Sequence, residues 1–204
     1  MVTLRRRQFC GQAASSSMAL VALTGCSPLP RNEAAPLSLH AFLSPAQILA
    51  STRADTAPDA TEALMQFAQA LATGRHVRAL IPAGHYQCHQ QIRVESPHLL
   101  DLSLHAIGAH LVITAPMSAP GSRYLSLVNT AKQGRRLEMQ GLSMRHDRPV
   151  GRVPNTDMIR LGGFQDYLLV DVEVGSSDNM GIAIGRADAR DRPARSITMV
   201  RPRV

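Results

Sequence analysis

Apolar and polar positions alternate along the second half of the chain in a template that returns every 30 residues. The three copies of the template are Leu137, Met139, Leu142 and Met144; Tyr167, Leu169, Val172 and Val174; and Ile197, Met199, Pro202 and Val204. Strict alternation predicts strands with one face towards a core. A fixed period of such strands predicts a solenoid, in which each turn buries its face on its neighbours.

More short strands are predicted around these copies. The segments are Ala79 to Gly84, Tyr86 to Cys88, Ile92 to Val94, Leu99 to Thr114, Ile159 to Leu161 and Ile182 to Ile184. The alternative is a β-sandwich with evenly spaced strands, which would show hairpin turns roughly every 8–12 residues. Because no repeated Asn-Gly or Asp-Gly pair marks such hairpins, the pattern favours the solenoid.

One amphipathic helix is predicted ahead of the strands, over residues 59–73. Its apolar positions recur at helical spacing and are Leu64, Phe67, Ala68 and Leu71. Asp59 or Thr61 can cap its first turn, with Glu62 placed as in a capping box. Residues 26–58 are rich in Pro, Ala and Ser and predict a flexible tether. Its apolar piece, Leu37 to Phe42, is expected to dock on the folded domain, residues 59–204.

The N-terminal 25 residues have the organisation of an export signal. Arg5, Arg6 and Arg7 precede a mild apolar run that is too short and too interrupted to span a bilayer. Arg6 to Phe9 resembles the twin-arginine export motif, which serves proteins that cross a membrane folded. Leu23 to Cys26 resembles a bacterial lipobox, which implies that Cys26 is acylated and anchors the mature chain. Ser27 after the cysteine favours the outer membrane, so the expected location is the cell envelope.

Charge and cysteine content narrow the functional classes. The formal net charge is +7, and removal of residues 1–25 takes three arginines and no acid, which leaves +4. With only 3% aromatic residues for base stacking, a nucleic-acid binder is not expected. Cys88 is the one thiol left after processing, so no disulfide framework is expected and Cys88 should point into the core.

Two segments carry a resemblance to a known family. The helix at 59–73 followed by Leu80 to Tyr86 resembles the N-terminus of right-handed parallel β-helix proteins of the pectate lyase superfamily. The run from Asp171 to Ile184 is similar to an internal coil of that family, and the likeness covers roughly residues 55–204. It implies an all-β, right-handed parallel β-helix with a capping helix, and it implies activity on polysaccharides, including polymers that contain uronic acids.

A polygalacturonase-like hydrolase is one activity that the resemblance implies. Asn155-Thr156-Asp157 matches the first motif of those enzymes, and Asp178 lies one coil later, which assigns Asp157 and Asp178 as an acid–base pair. The match is incomplete, because Asn179 replaces the second paired carboxylate and Met158 replaces a glycine. No Gly-His-Gly or Arg-x-Lys follows before Val204. Turns between coils contain the same residue types, so a structural role stays open.

A lyase is the other activity that the resemblance implies, and it would need Ca²⁺ to acidify a uronate proton. The candidate ligands are Asp147, Asp157, Asp171 and Asp178, and the candidate bases are Arg145, Arg148 and Arg160. No run of these acids has the density of a dedicated calcium loop. The remaining histidines lack the spacing of a zinc site, so no metal site is expected from them.

The most polar short run, residues 145–148, is a candidate sugar-binding patch. The proposed substrate-binding residues are Arg145, His146, Arg148, Arg160 and Asn179. Arginine can hold a sugar carboxylate through two parallel hydrogen bonds, although a solvated loop would have the same composition.

The template is incomplete at Val204, and solenoids normally carry a cap at each end. Either a homo-oligomer covers the open coil, or the sequence is an incomplete product. Three functional hypotheses follow: an envelope polysaccharide hydrolase or lyase, a non-catalytic binding module for carbohydrate or protein, and a fragment without activity.

Overall fold

Parallel strands make up most of the structure, a computed structural model that describes residues 35–114, 123–147, 157–175, 180–185 and 194–203. The described strands, β1 to β12 in order, are Leu37–Ser38, Arg78–Leu80, Gly84–Cys88, Ile92–Ser96, Asp101–Ile113, Arg123–Asn129, Gly134–His146, Asp157–Gly162, Phe164–Val170, Glu173–Gly175, Met180–Ile184 and Ser196–Val200. The helical elements all precede β2 and are the 3₁₀ turns Leu39–Phe42 and Ala54–Thr56 and the helices α1, Pro45–Ala50, and α2, Thr61–Ala72.

The strands form two sheets, and every strand pair in the described residues is parallel. The first sheet has the order β1-β2-β5-β7-β9-β12, with β3 also beside β5 and β10 also beside β7. The second sheet has the order β11-β8-β6-β4. From β5 onward the chain alternates between the two sheets, except that β9 and β10 both lie in the first sheet. This alternation supplies the long crossovers that parallel pairing requires. The predicted all-β class with parallel strands is confirmed, and a sandwich built from hairpins does not describe this arrangement.

The 30-residue template is confirmed as strand register. Leu137 on β7 lies opposite Tyr167 on β9, which in turn lies opposite Ile197 on β12. Met144 likewise lies opposite Val174. Side chains of equivalent template positions are therefore neighbours across the sheet.

Burial follows the template in its first two copies but not in the third. The four apolar residues of each of the first two copies are at most 4% exposed, whereas Ile197 and Met199 are 49% and 43% exposed. No described strand pairs with the far side of β12, so its core-facing positions have no covering neighbour there. The expectation that every copy buries its apolar face is wrong for the last one.

The two longest strands, β5 and β7, bend in their middle. The register of β5 against β7 shifts between His105 and Ala109, and the bend in β7 contains Gly141. Gly141, Asp171 and Arg201 follow each other at 30-residue intervals and all have positive φ, at 72°, 52° and 49°. This bend, which we call the repeating corner, therefore recurs with the template. It needs a residue in the left-handed backbone conformation each time.

Helix α2 packs against β1, β3 and β4. Its predicted apolar face is confirmed as buried, but the helix is Thr61–Ala72 rather than residues 59–73. Asp59 Oδ1 accepts a hydrogen bond from Thr61 N at 3.0 Å. The predicted capping-box role of Glu62 is wrong, because its carboxylate accepts from Gln66 Nε2 instead. A capping box does form in α1, between Ser44 and Gln47.

The predicted tether over residues 26–58 is wrong for its described part. Leu37–Ser38 pairs with β2, and Leu39 is fully buried. Docking of the Leu37 to Phe42 piece is thereby confirmed, and the following α1 continues the folded region towards α2. Apolar side chains at Leu39 and Leu43 are the physical reason, because they are buried in the common core.

The Cys88 side chain lies in the core, as predicted, and is fully buried as a free thiol. Burial raises the pKa of this thiol. Among the described helices, none has the length and apolar character that crossing a membrane would require.

The repeating corner can be tested with Gly141→Ala. A Cβ at this position would lie 2.6 Å from Ile107 Cα, and its φ of 72° is unfavourable for alanine. We expect a loss of about 1–3 kcal/mol in the free energy of unfolding, measured in urea. Gly185→Ala is the matched control, because nothing lies within 4 Å of a Cβ built there. An equal loss in both variants would contradict the assignment of the cost to the corner.

Candidate functional site

The described strand ends meet at one edge of the fold, where β7 finishes and β6 and β8 begin. His146 is the last residue of β7, and its ring centroid lies 5.6 Å from that of Tyr124 near the start of β6. Arg123 and Asp157, the first residues of β6 and β8, are direct register partners. We call these four residues, Arg123, Tyr124, His146 and Asp157, the Asp157 corner.

Asp157 and Arg123 form an incomplete buried pair. Asp157 Oδ2 lies 3.6 Å from Arg123 Nε, and the side chains are 8% and 34% exposed. Within the described part of the chain, Asp157 Oδ1 and Arg123 Nε are buried without a hydrogen-bond partner. A buried polar atom without a partner is costly, so these two atoms mark the corner as a place where stability is not optimised.

The surroundings of Asp157 favour its protonated form. Burial raises the pKa of this carboxyl above its ordinary value of 3.8, and the nearby charges of Arg123 and Arg160 oppose that rise. A carboxyl that keeps its proton at higher pH can act as a general acid. The predicted catalytic residue is thus in an environment suited to proton donation.

In the predicted sugar-binding run, the described residues Arg145 and His146 do not face the same side of β7. Arg145 is exposed whereas His146 is buried, as alternation along β7 requires. His146 Nδ1 lies 3.1 Å from Asp147 Oδ1. His146 therefore contributes to the buried side of the corner, and its predicted role in a solvent-facing patch is wrong.

Of the other predicted site residues, Arg160 lies within the described part of the chain. Arg160 is half-buried on β8, opposite Ser126 on β6. The remaining predicted residues, which lie outside the described residues, are Cys26, Arg148, Asn155, Asp178 and Asn179. The strand ends that flank Asp178 are Gly175, opposite Arg145, and Met180, opposite Asp157.

The described acids do not fit a calcium site. Asp171 Oδ1 accepts from Arg201 Nε at 2.6 Å and Asp171 Oδ2 from Arg201 Nη2 at 2.7 Å, so both of its oxygens are engaged. Asp147 lies beside His146, and Asp157 is buried beside Arg123. In the portion of the chain that the structure describes, no three His, Cys, Asp or Glu side chains converge to hold a metal ion. The described residues therefore form no Ca²⁺ site on which a reaction step could depend.

A second cluster was not predicted from the sequence. A surface groove of about 310 Å³ has its polar lining formed by His85, His110, Ser143, Arg145 and Glu173, which we call the histidine groove. The two imidazole rings are stacked, with centroids 4.8 Å apart and planes 13° from parallel. In the sequence, His85 and His110 are isolated from other polar residues of a recognisable motif, so the sequence alone does not indicate a site there. Strand register would have found them, since each is an outward-facing residue one place before a buried strand position.

Comparisons with family models, with curated proteins and with solved structures found no match to this chain.

The raised pKa of Asp157 predicts a pH-dependent effect of Asp157→Asn on stability. Because the folded state holds the proton more tightly than the unfolded state, Asp157 stabilises the fold below pH 3.8. That contribution is lost as the pH rises through the higher folded pKa. We therefore expect the variant to gain stability relative to the parent chain between about pH 3.5 and about pH 7, in urea unfolding.

Asp55→Asn is the control for this experiment, because Asp55 is an exposed carboxylate that is 63% accessible and pairs only locally with Arg53. A stability difference between Asp157→Asn and the parent that stays constant with pH, or falls as the pH rises, would contradict the assigned direction.

Proposed function

We propose that this chain is a right-handed parallel β-helix protein that is exported, lipid-anchored through Cys26, and active on envelope or extracellular polysaccharide. The parallel register at a 30-residue period supports the coil architecture. The packing of α2 against β1, β3 and β4 supports its role as a cap over strand edges. The arginine-led N-terminal pattern and Cys26 support export and anchoring.

The buried carboxyl of Asp157 is the observation that carries the proposed activity. Its raised pKa suits a proton donor to a leaving glycosidic oxygen. Asp178 is the proposed base, and an inverting mechanism needs the two carboxyl groups roughly 6.5–9.5 Å apart. Arg123 and Arg160 supply positive charge near Asp157, which suits an acidic sugar as substrate.

Replacement of the acid tests this activity. We expect Asp157→Asn to lower the release of reducing ends from uronic-acid polymers by about 10²–10⁴-fold, because amides cannot donate the required proton. Asp178→Asn should have an effect of similar size. Asp55→Asn is the matched control and should retain full turnover, since Asp55 is exposed on a 3₁₀ turn. Turnover that survives both of the first two changes would overturn the acid–base assignment.

A non-catalytic carbohydrate-binding module is the second candidate function. The histidine groove favours it, because its polar side chains face solvent while Arg123 and Asp157 are largely buried. With the same polymers, this function predicts that the parent chain and Asp157→Asn bind with equal affinity in a binding assay. Neither should release reducing ends. Binding that is lost together with turnover would argue against it.

The anchor is testable by Cys26→Ser. Each buried methylene of an acyl chain contributes roughly 0.8 kcal/mol, and durable anchoring takes two or more chains. Loss of the acylated sulfur should therefore move the exported protein from the membrane fraction to the soluble fraction. Cys88→Ser is the control, since Cys88 is buried in the fold. A membrane fraction unchanged by Cys26→Ser would overturn the lipoprotein proposal.

A further inference from the structure

Four parallel strands bring the polar residues of the histidine groove into one row. His85 on β3 lies opposite His110 on β5, which lies opposite Ser143 on β7, which lies opposite Glu173 on β10. Arg145 lies two residues after Ser143 on the same strand. Because neighbouring strands lie about 4.8 Å apart, the backbone fixes these side chains as adjacent groups.

We propose that the histidine groove is an anion-binding site whose affinity rises on acidification, and that its ligand carries a sulfate or carboxylate group. This inference is independent of the proposed acid–base pair, because it involves neither Asp157 nor any cleavage step, and it specifies the ligand chemistry of the groove that the binding-module proposal uses. The groove volume of about 310 Å³ is at the small end for ligand sites, which suits a single anionic group with one attached ring.

The charge of the groove becomes more positive when the pH falls. The charged or titratable side chains that line it are His85 from β3, His110 from β5, Arg145 from β7 and Glu173 from β10. With neutral imidazoles, the Arg145 and Glu173 charges cancel. Histidine is the side chain whose charge ordinarily changes between about pH 8 and 5, and the groove contains two of them.

The 3₁₀ turn at the side of the groove adds no further charge to this balance. It contributes Ala54 to the lining. The adjacent charges of Arg53 and Asp55 neutralise each other in a salt bridge of 2.7 Å. The pH response of the groove therefore belongs to its two histidines, against the fixed charges of Arg145 and Glu173.

Because the rings of His85 and His110 are stacked, proton uptake by the rings and binding of an anion in the groove favour each other. Two imidazolium groups with centroids 4.8 Å apart repel each other. An anion between these rings and Arg145 removes the repulsion. By linkage, an anion that promotes proton uptake must itself bind more tightly at low pH. Glu173, on the far side of Ser143 from His110, repels anions, and its own register partner on the next coil is Arg203.

The test is isothermal titration calorimetry of the full chain with sodium sulfate, at about pH 5.5 and about pH 8 and constant ionic strength. We expect binding to be at least about tenfold tighter at the lower pH. His110→Gln should weaken binding at the lower pH and reduce the pH dependence, and the double change His85→Gln with His110→Gln should remove it. His98→Gln is the matched control, because His98 is an exposed histidine outside the groove, and it should behave as the parent chain does.

Glu173→Gln makes the test independent of any loss of folding. Removal of the repelling carboxylate should tighten sulfate binding at about pH 8, a gain that a damaged fold cannot produce. No gain in Glu173→Gln, or a pH dependence that survives replacement of both His85 and His110 by Gln, would overturn the proposal.

The source of the anionic group is settled by two more titrants, glucuronate and neutral glucose. Glucuronate binding much tighter than sulfate would assign the site to a sugar-borne carboxylate, and equal binding would assign it to the free anion. Binding of glucose as tight as that of glucuronate would overturn the requirement for an anion.

Discussion

Parallel register is the constraint on which the rest of the structure depends. Once β7, β9 and β12 are aligned at a spacing of 30 residues, every side chain has an equivalent as its neighbour. An apolar position in one coil must then be apolar in the next, because a slip by one residue would turn each core side chain towards solvent. The buried stack of Leu137 on Tyr167 follows from that alignment.

The same register imposes a backbone requirement at the repeating corner. Gly141, Asp171 and Arg201 occupy equivalent places with positive φ, yet only the first is a glycine. Aspartate tolerates this conformation better than most residues, whereas arginine gains no such local benefit. The carboxylate of Asp171 binds the Arg201 guanidinium through two hydrogen bonds, which offsets part of the conformational cost. The corner is thus maintained by contact between successive coils as well as by residue type.

Periodic burial was predictable from the sequence, and contacts that depend on a neighbouring strand were not. The template at Leu137 and the apolar face of α2 follow from local periodicity, so both were predicted. The folded state of Leu43 and of α1 was missed because the Pro, Ala and Ser around them indicate a linker, while Leu43 is stabilised by burial in the distant core. The opposite orientations of Arg145 and His146 could be predicted only with the knowledge that β7 extends as far as His146.

The histidine groove and the Asp157 corner show how one register can serve both stability and chemistry. Alternation sends every second residue of a strand outward, so the alignment that stacks Leu111 on Met144 in the core also aligns His110 with Ser143 at the surface. Outward rows do not need to be apolar, and they are therefore free to combine a stacked imidazole pair, a guanidinium and a carboxylate. At the Asp157 corner the constraint works in the opposite direction, because Asp157 and Arg123 meet where burial leaves two of their polar atoms without a partner among the described residues. A stack that aligns its core by register consequently also fixes the positions of the polar groups on its strands.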